Sequence, residues 1–259
     1  MILSKKQERF LSQLEELWNF FDGSLMNSRL KTSNLRFFLL LTMTVASHRL
    51  IRGFLAQLRG GSNDNLESKL RTLMETALNI HYILGDETDD RAKAYILNGG
   101  ASRVNALDKI IELLEQKKAE AWAAINSTEG YKELRKEKQQ ELSDLKARFG
   151  VENYSWPKIE LRARAQDLEE LYATIFWYFS EDTHMTSPGL DRILSNVEGR
   201  IAFSTNLDLS GLDMEIQTAY ASYLEFINLC SDKLDFPAKE ELSKFNGSEM
   251  LSAVPFSKE

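Results

Sequence analysis

The chain has 259 residues, 43% of them apolar, with 4 prolines and 13 glycines. That length supports one large domain or two small ones, and so little Pro and Gly predicts long, uninterrupted elements. A net charge of −7 argues against a protein coated for nucleic acid, and a single cysteine, Cys230, excludes an internal disulfide and fits a reducing cytoplasm.

No convincing run of alternating strand residues is present, and Glu, Leu, Lys, Ala and Arg are abundant, so the expected fold is all-α, a multi-helix bundle. Phe10, Leu14, Leu17, Trp18 and Phe21 recur at helical spacing and predict a first helix over 4–21, broken by DGS at 22–24. MILSKKQERF opens the chain without the apolar stretch of a signal peptide. A second helix covers 29–59 and ends at GGSNDN, 60–65. Its apolar run at 37–47 is too short for a bilayer, which needs roughly 20 residues, and reads as a buried segment; no membrane contact is expected.

Charge along this helix is one-sided. No Asp or Glu occurs from Gly23 to Asn63, whereas Arg29, Lys31, Arg36, Arg49, Arg52 and Arg59 are all basic. Arg49, Arg52 and Arg59 share a helical face. Such a face is either solvated, or paired with acids of another helix, or an anion-binding surface for phosphate, RNA or an acidic partner.

The third helix, 65–84 with Asn65 as its cap, carries a polar stripe of Arg71, Glu75 and Asn79, with Tyr82 close to the same line. Apolar residues flank the stripe. An Arg and a Glu beside so much apolar surface must pair or meet water, so the stripe is a structural ion pair or the floor of a site.

Residues 87–150 are highly charged and predict a helical hairpin insertion with its tip at NSTEG, 126–130, and an apolar seam of Ile110, Leu113, Leu114, Ala121 and Ile125. Gly99 and Gly100 are candidate kinks in its first arm. Trp156-Pro157 restarts the chain, and 157–183 reads as one helix with Tyr172, Phe176, Ser180 and His184 four apart. A short helix at 190–198, an irregular or extended stretch at 199–211 and a last helix at 212–235, packed partly through Met214, follow. The expected organisation is 1–86 and 151–236 in one bundle, 87–150 as the hairpin, and 237–259 as a polar, mobile tail.

The chemistry-bearing candidates are few. His184 stands at a helix end beside Ser180, Glu181 and Asp182, where it is a capping cation or a general acid-base group. Glu181-x-x-His184 is half of a carboxylate-bridged di-metal pattern, but the second half is missing, so no metal and no cofactor is expected. Cys230 lies in an apolar run and reads as packing. No phosphate-binding loop, dinucleotide fingerprint or nucleophile elbow occurs.

Two segments together resemble a known family. RTLMETALNIHYIL at 71–84 is an Arg-x-x-x-Glu helix ending in an aromatic, and W-P-K followed by YATIFWYFSEDTH reaches His184. The pairing, over about residues 35–235, resembles the bacterial family called domain of unknown function 5677. The matching positions are Arg71, Glu75, Tyr178, Ser180 and His184, the candidate catalytic set. The resemblance implies an all-helical intracellular bacterial protein and no established activity. Helical prokaryotic toxins and defence proteins of the HEPN group are broadly similar in build. Their ribonucleases place Arg four to six residues before His, a spacing absent here.

Two function classes follow. One is a non-catalytic interaction or effector module, possible in a defence or toxin setting, with a protein partner or a second copy. There Arg71 and Glu75 form a structural pair, and losing Arg71 costs several kcal/mol. The other is a metal-independent phosphodiester- or nucleotide-processing enzyme, with RNA or a nucleotide as substrate. In that cleft Arg71 stabilises negative charge, Glu75 orients it, and His184 acts as acid or base with Tyr178 and Ser180 as hydrogen-bonding partners.

Overall fold

The computed structural model describes residues 3–27, 32–62, 66–169, 172–173, 194–197, 200–203, 211–234 and 239–251. Among them the fold is all-helical apart from one short two-stranded ladder. The helices are α1 (Lys5–Asn27), α2 (Leu35–Arg59), α3 (Leu66–Leu84), α4 (Asp90–Glu115), α5 (Glu120–Ala123), α6 (Thr128–Phe149), α7 (Ile159–Arg164), α8 (Leu212–Leu234) and α9 (Lys239–Asn246), with a 3-10 turn at Glu249–Leu251. Strands β1 (Leu194–Val197) and β2 (Arg200–Phe203) pair antiparallel, Leu194 opposite Phe203 and Val197 opposite Arg200. The extended conformation of 194–197 replaces the short helix expected at 190–198.

The chain forms two compact units, Met1–Gly85 with Ile159–Glu259, and Asp86–Lys158. In the first unit, α8 packs against α1, α2 and α3. Its core joins Leu11, Leu14 and Phe21 of α1, Ile51 and Phe54 of α2, Leu70 and Leu73 of α3, and Ile216, Tyr223 and Ile227 of α8. Met214 is one of the exposed large apolar residues rather than a packing position. By length and composition α2 could cross a membrane, because the helix outruns its apolar stretch; half of that window is buried within the unit, as in a core helix.

Local chemistry sets the helix starts. Ser4 and Gln7 exchange side-chain bonds to each other's backbone N–H, a capping box that opens α1. Asn34 Oδ1 accepts from the N–H groups of Arg36 and Phe37 and starts α2. The cap expected at Asn65 lies outside the described residues. The DGS break expected at 22–24 is absent: α1 continues through it, and Asp22 is held in the helix by His48, 3.1 Å away.

Four helix ends share one device. After each, a left-handed residue lets two backbone N–H groups reach back to the last carbonyls. Gly61 and Gly150 do this after α2 and α6, at φ 82° and 64°. Lys117 and Asp167 do it after α4 and α7, at φ 54° and 55°, where a side chain resists the conformation. Asp167 therefore ends α7 at Arg164 and breaks the helix expected over 157–183.

In the second unit, α4 and α6 run antiparallel, with Asp108 paired to Arg135 at 2.8 Å and Glu115 to Lys132 at 3.0 Å. Their core is Leu97, Val104 and Leu142, packed by Phe149, Val151 and Tyr154. The expected seam is displaced from this line, and Ile125 is 72% exposed. Gly99 and Gly100 do not kink α4; a Cβ at Gly100 would meet Leu142 at 3.1 Å, so the glycine admits the facing arm. The arms are joined through α5, and Ser127 caps α6. The unit continues to Lys158 rather than stopping at 150.

Of the stretch 237–259 expected as a mobile tail, the described residues 239–251 are instead packed through Leu242, Phe245 and Met250. Tyr220 donates to the Phe245 carbonyl at 3.0 Å, and Arg9 pairs with Glu249 at 2.9 Å. Phe245→Ala should cost about 3 kcal/mol, the penalty of an emptied aromatic core site, read as a lower urea midpoint. Asp167→Gly should raise stability by about 1 kcal/mol in the same measurement, because glycine adopts the left-handed conformation without strain.

Candidate functional site

The polar stripe of α3 faces the segment that begins with α7. Arg162 of α7 is 5% exposed, and its Nη2 lies 3.9 Å from Glu75 Oε1. The Glu75 side chain is 46% exposed, so water shares its charge with the arginine. Tyr172 donates to Glu160 Oε1 at 3.0 Å. Its hydroxyl ionises above the usual phenol range, mainly through burial and then through Glu160, with Arg71 and Glu75 near enough to act on it. Arg71, Glu75, Glu160, Arg162 and Tyr172 thus form a polar cluster in which two arginines balance two carboxylates. It ties α3 to residues 159–172.

Asn79, next on the stripe, is buried, and its Oδ1 has no hydrogen-bond partner among the described residues. His81 leaves the stripe and sets Nε2 3.1 Å from Glu225 Oε1 of α8. Tyr178, Ser180 and His184 lie outside the described residues. Of the candidate catalytic set the structure describes Arg71 and Glu75, which both act on Tyr172.

The three arginines of α2 divide by environment. Arg59 is taken by α1: Nε and Nη2 donate to the two Glu15 oxygens at 2.7 Å each, and Nη1 donates to Glu8 at 2.8 Å. Its nitrogens already face carboxylates, so it is not open to an external anion. Arg49 and Arg52 are exposed and make no ion pair among the described residues. The same outward strip of α2 carries Phe38, 54% exposed, with Leu41 and Val45 half-buried.

The most ordered polar constellation is one that sequence reasoning passed over. His48 of α2 is buried, stacks on Trp18 at 4.7 Å and 6°, and bonds at both ring nitrogens. Nε2 meets Asp22 Oδ1 at 3.1 Å, and Nδ1 meets the Tyr223 hydroxyl at 2.5 Å. A neutral ring donating from Nε2 to the carboxylate and accepting the phenol proton at Nδ1 satisfies all three groups. Burial is the largest effect on the ring and lowers its pKa, with Asp22 opposing it and Arg52 assisting. Tyr223 is fully buried and its hydroxyl is pushed far above the phenol range by burial, so the ring and the phenol are closed to a substrate and only the Asp22 carboxylate, 47% exposed, meets water. Nearby, Cys230 is also fully buried, lies 3.1 Å from Thr44 Oγ1, and has its thiol pushed up to about 11 by burial, which leaves it inert as a nucleophile.

Among the described residues no group of three or more His, Cys, Asp or Glu side chains is placed to hold a metal ion.

The model of the Family of unknown function (DUF5677) matches residues 37–201. No curated protein matches the chain, and no solved structure does.

The His48 network has a pH consequence. Below the imidazole's ordinary value of 6.5 the unfolded chain takes up a proton that the folded chain, with its lower pKa, does not. Stability should be full above that value and decline as pH falls below it. Urea unfolding at pH 7.5 and 5.5 should show the drop, and His48→Gln should remove most of it. Tyr223→Phe should cost about 1–3 kcal/mol at pH 7.5, because it strands a buried ring nitrogen.

Proposed function

The chain belongs to the DUF5677 family, and we propose that it works as a non-catalytic interaction module that docks an acidic helical segment of a partner protein on the outward face of α2. The observation that carries this reading is the asymmetry of that face. Arg59 is neutralised from within, while Arg49 and Arg52 are exposed and continuous with Phe38, Leu41 and Val45. An apolar strip ending in two open cations suits an amphipathic helix with apolar anchors and carboxylates at one end. An effector role in a defence or toxin setting falls under the same reading, with docking rather than a reaction carrying the effect.

The enzymatic alternative draws less support. Glu75 faces Arg162, Tyr172 faces Glu160, and the cluster they belong to already balances its own charges. A phosphodiester-processing cleft of Arg71, Glu75 and His184 would need an arginine committed to an incoming anion.

Photo-crosslinking from position 42, which is exposed on the docking strip, tests the reading in cells. A crosslinked protein band is expected from the native chain. The band should disappear in Arg49→Glu/Arg52→Glu, with stability changed by no more than about 0.5 kcal/mol per substitution, as for exposed residues elsewhere. Crosslinks to RNA, or a protein band that survives the double charge reversal, would sink the proposal.

A further inference from the structure

Helix α4 of the second unit carries two lines of residues at coiled-coil spacing, and the hairpin uses one of them. The inner line faces α6. Leu97 and Val104 cluster with Leu142, Gly100 sets its backbone against that same leucine, and Asp108 and Glu115 pair with Arg135 and Lys132. The outer line lies one residue behind: Ile96, Gly99, Arg103, Ala106, Ile110 and Leu113, in alternating steps of three and four. Gly99, Arg103 and Ala106 are exposed, and Ile96, Ile110 and Leu113 are half-buried.

Gly99 is the informative residue of the outer line. Glycine in mid-helix weakens the helix relative to alanine. Gly100 has a reason within the hairpin, because a Cβ there would meet Leu142 at 3.1 Å. A Cβ at Gly99 would meet nothing within 4 Å among the described residues. Gly99 thus leaves a notch that the hairpin itself does not fill, in a line of otherwise large side chains broken a second time at Ala106.

We infer that the outer line of α4 is a self-association seam, on which α4 of a second copy packs antiparallel. A two-fold axis midway between Val104 and Asn105 sets Ile96 opposite the partner's Leu113. The same axis sets Gly99 opposite the partner's Ile110, and Arg103 opposite the partner's Ala106. Each notch then receives a long side chain, as knobs enter holes in a coiled coil. The Arg103 charge stays close to Glu141 of its own α6, and Lys109 beside the seam faces the partner's Ser102 rather than a like charge. A parallel pairing in register sets arginine against arginine and glycine against glycine, which adds repulsion and a void. The line has one cation, already near an acid of its own chain, so a second copy suits it better than an acidic partner.

Sedimentation velocity of the full chain from about 1 to 100 µM, the range suited to a seam this short, tests the inference. The native chain should move from its own mass to twice that mass. Gly99→Leu fills open space, so helicity should hold while the dimer weakens at least about tenfold, as a filled notch excludes the partner's knob. Adding Ile110→Ala to Gly99→Leu should restore the dimer, because the new leucine then faces an emptied position. A second pair uses exposed residues only. Ala106→Arg should weaken the dimer by setting arginine against arginine, and Arg103→Ala/Ala106→Arg should restore it. Arg49→Glu/Arg52→Glu should leave the dimer unchanged. Restoration in either pair supports the antiparallel register. A chain that stays monomeric throughout, a dimer indifferent to Gly99→Leu and Ala106→Arg, or losses that neither swap restores would overturn it.

Discussion

A polar atom on a helix buried on nearly every side is cut off from water, so a hydrogen bond from a neighbouring helix counts most there. Helix α8 imposes that constraint on the first unit. It packs on α1, α2 and α3 at once, and its tyrosines, its cysteine and most of its small polar residues are buried. The neighbouring helices answer from their own sequences. Tyr223 is met by His48, Cys230 by Thr44, and Tyr220 by the backbone of α9. Each answer is an inter-helix hydrogen bond as well as a satisfied group, so the same contacts fix the rotation of α2 and α9 about α8. An all-leucine α8 would bury as much surface and specify less.

The stripe on α3 shows the same logic at lower burial. Its charges face charges from residues 159–172 rather than open space, and Glu75 keeps half its side chain in water. Partly solvated pairs of this kind contribute modestly to stability. Their effect is positional: they hold an irregular segment, with its left-handed turn at Asp167, against a regular helix. The exposed arginines of α2 are the departure from this economy, which is why function is sought there.

The helices themselves were legible, because apolar periodicity records burial directly: α3 and α8 fall close to the expected spans, and α2 ends where expected but starts at Leu35, after its Asn34 cap, rather than at 29. Their ends were less so. Glycine announces the turns after α2 and α6, but Lys117 and Asp167 adopt the same conformation with no signal in their identity. Asp22 and Gly23 read as a break and were not one, because the carboxylate is engaged by a ring 26 residues away. The tail carries Leu242, Phe245 and Met250 at helical intervals, too few to outweigh its polar composition. Of the candidate site, the α3 stripe was visible from spacing alone. His48 was not, since its phenol partner lies 175 residues on and no local pattern links them. The stretch most suggestive of chemistry, ending at His184, lies outside the described residues.

The way the chain is shared between the two units has a consequence for biosynthesis. The unit of Asp86–Lys158 is one continuous stretch whose helices pair with near neighbours, so it can form as soon as it leaves the ribosome. The other unit is interrupted: α1, α2 and α3 emerge first, yet the surface they bury against belongs to α8, α9 and the final 3-10 turn. Until residues 212–251 have been made, Leu14, Phe21, Phe54 and Leu70 have no lid, and a nascent chain showing that much oily surface is a natural client for holdase chaperones. Early termination upstream of residue 212 would leave a folded hairpin joined to an orphaned half-core, a product marked for degradation.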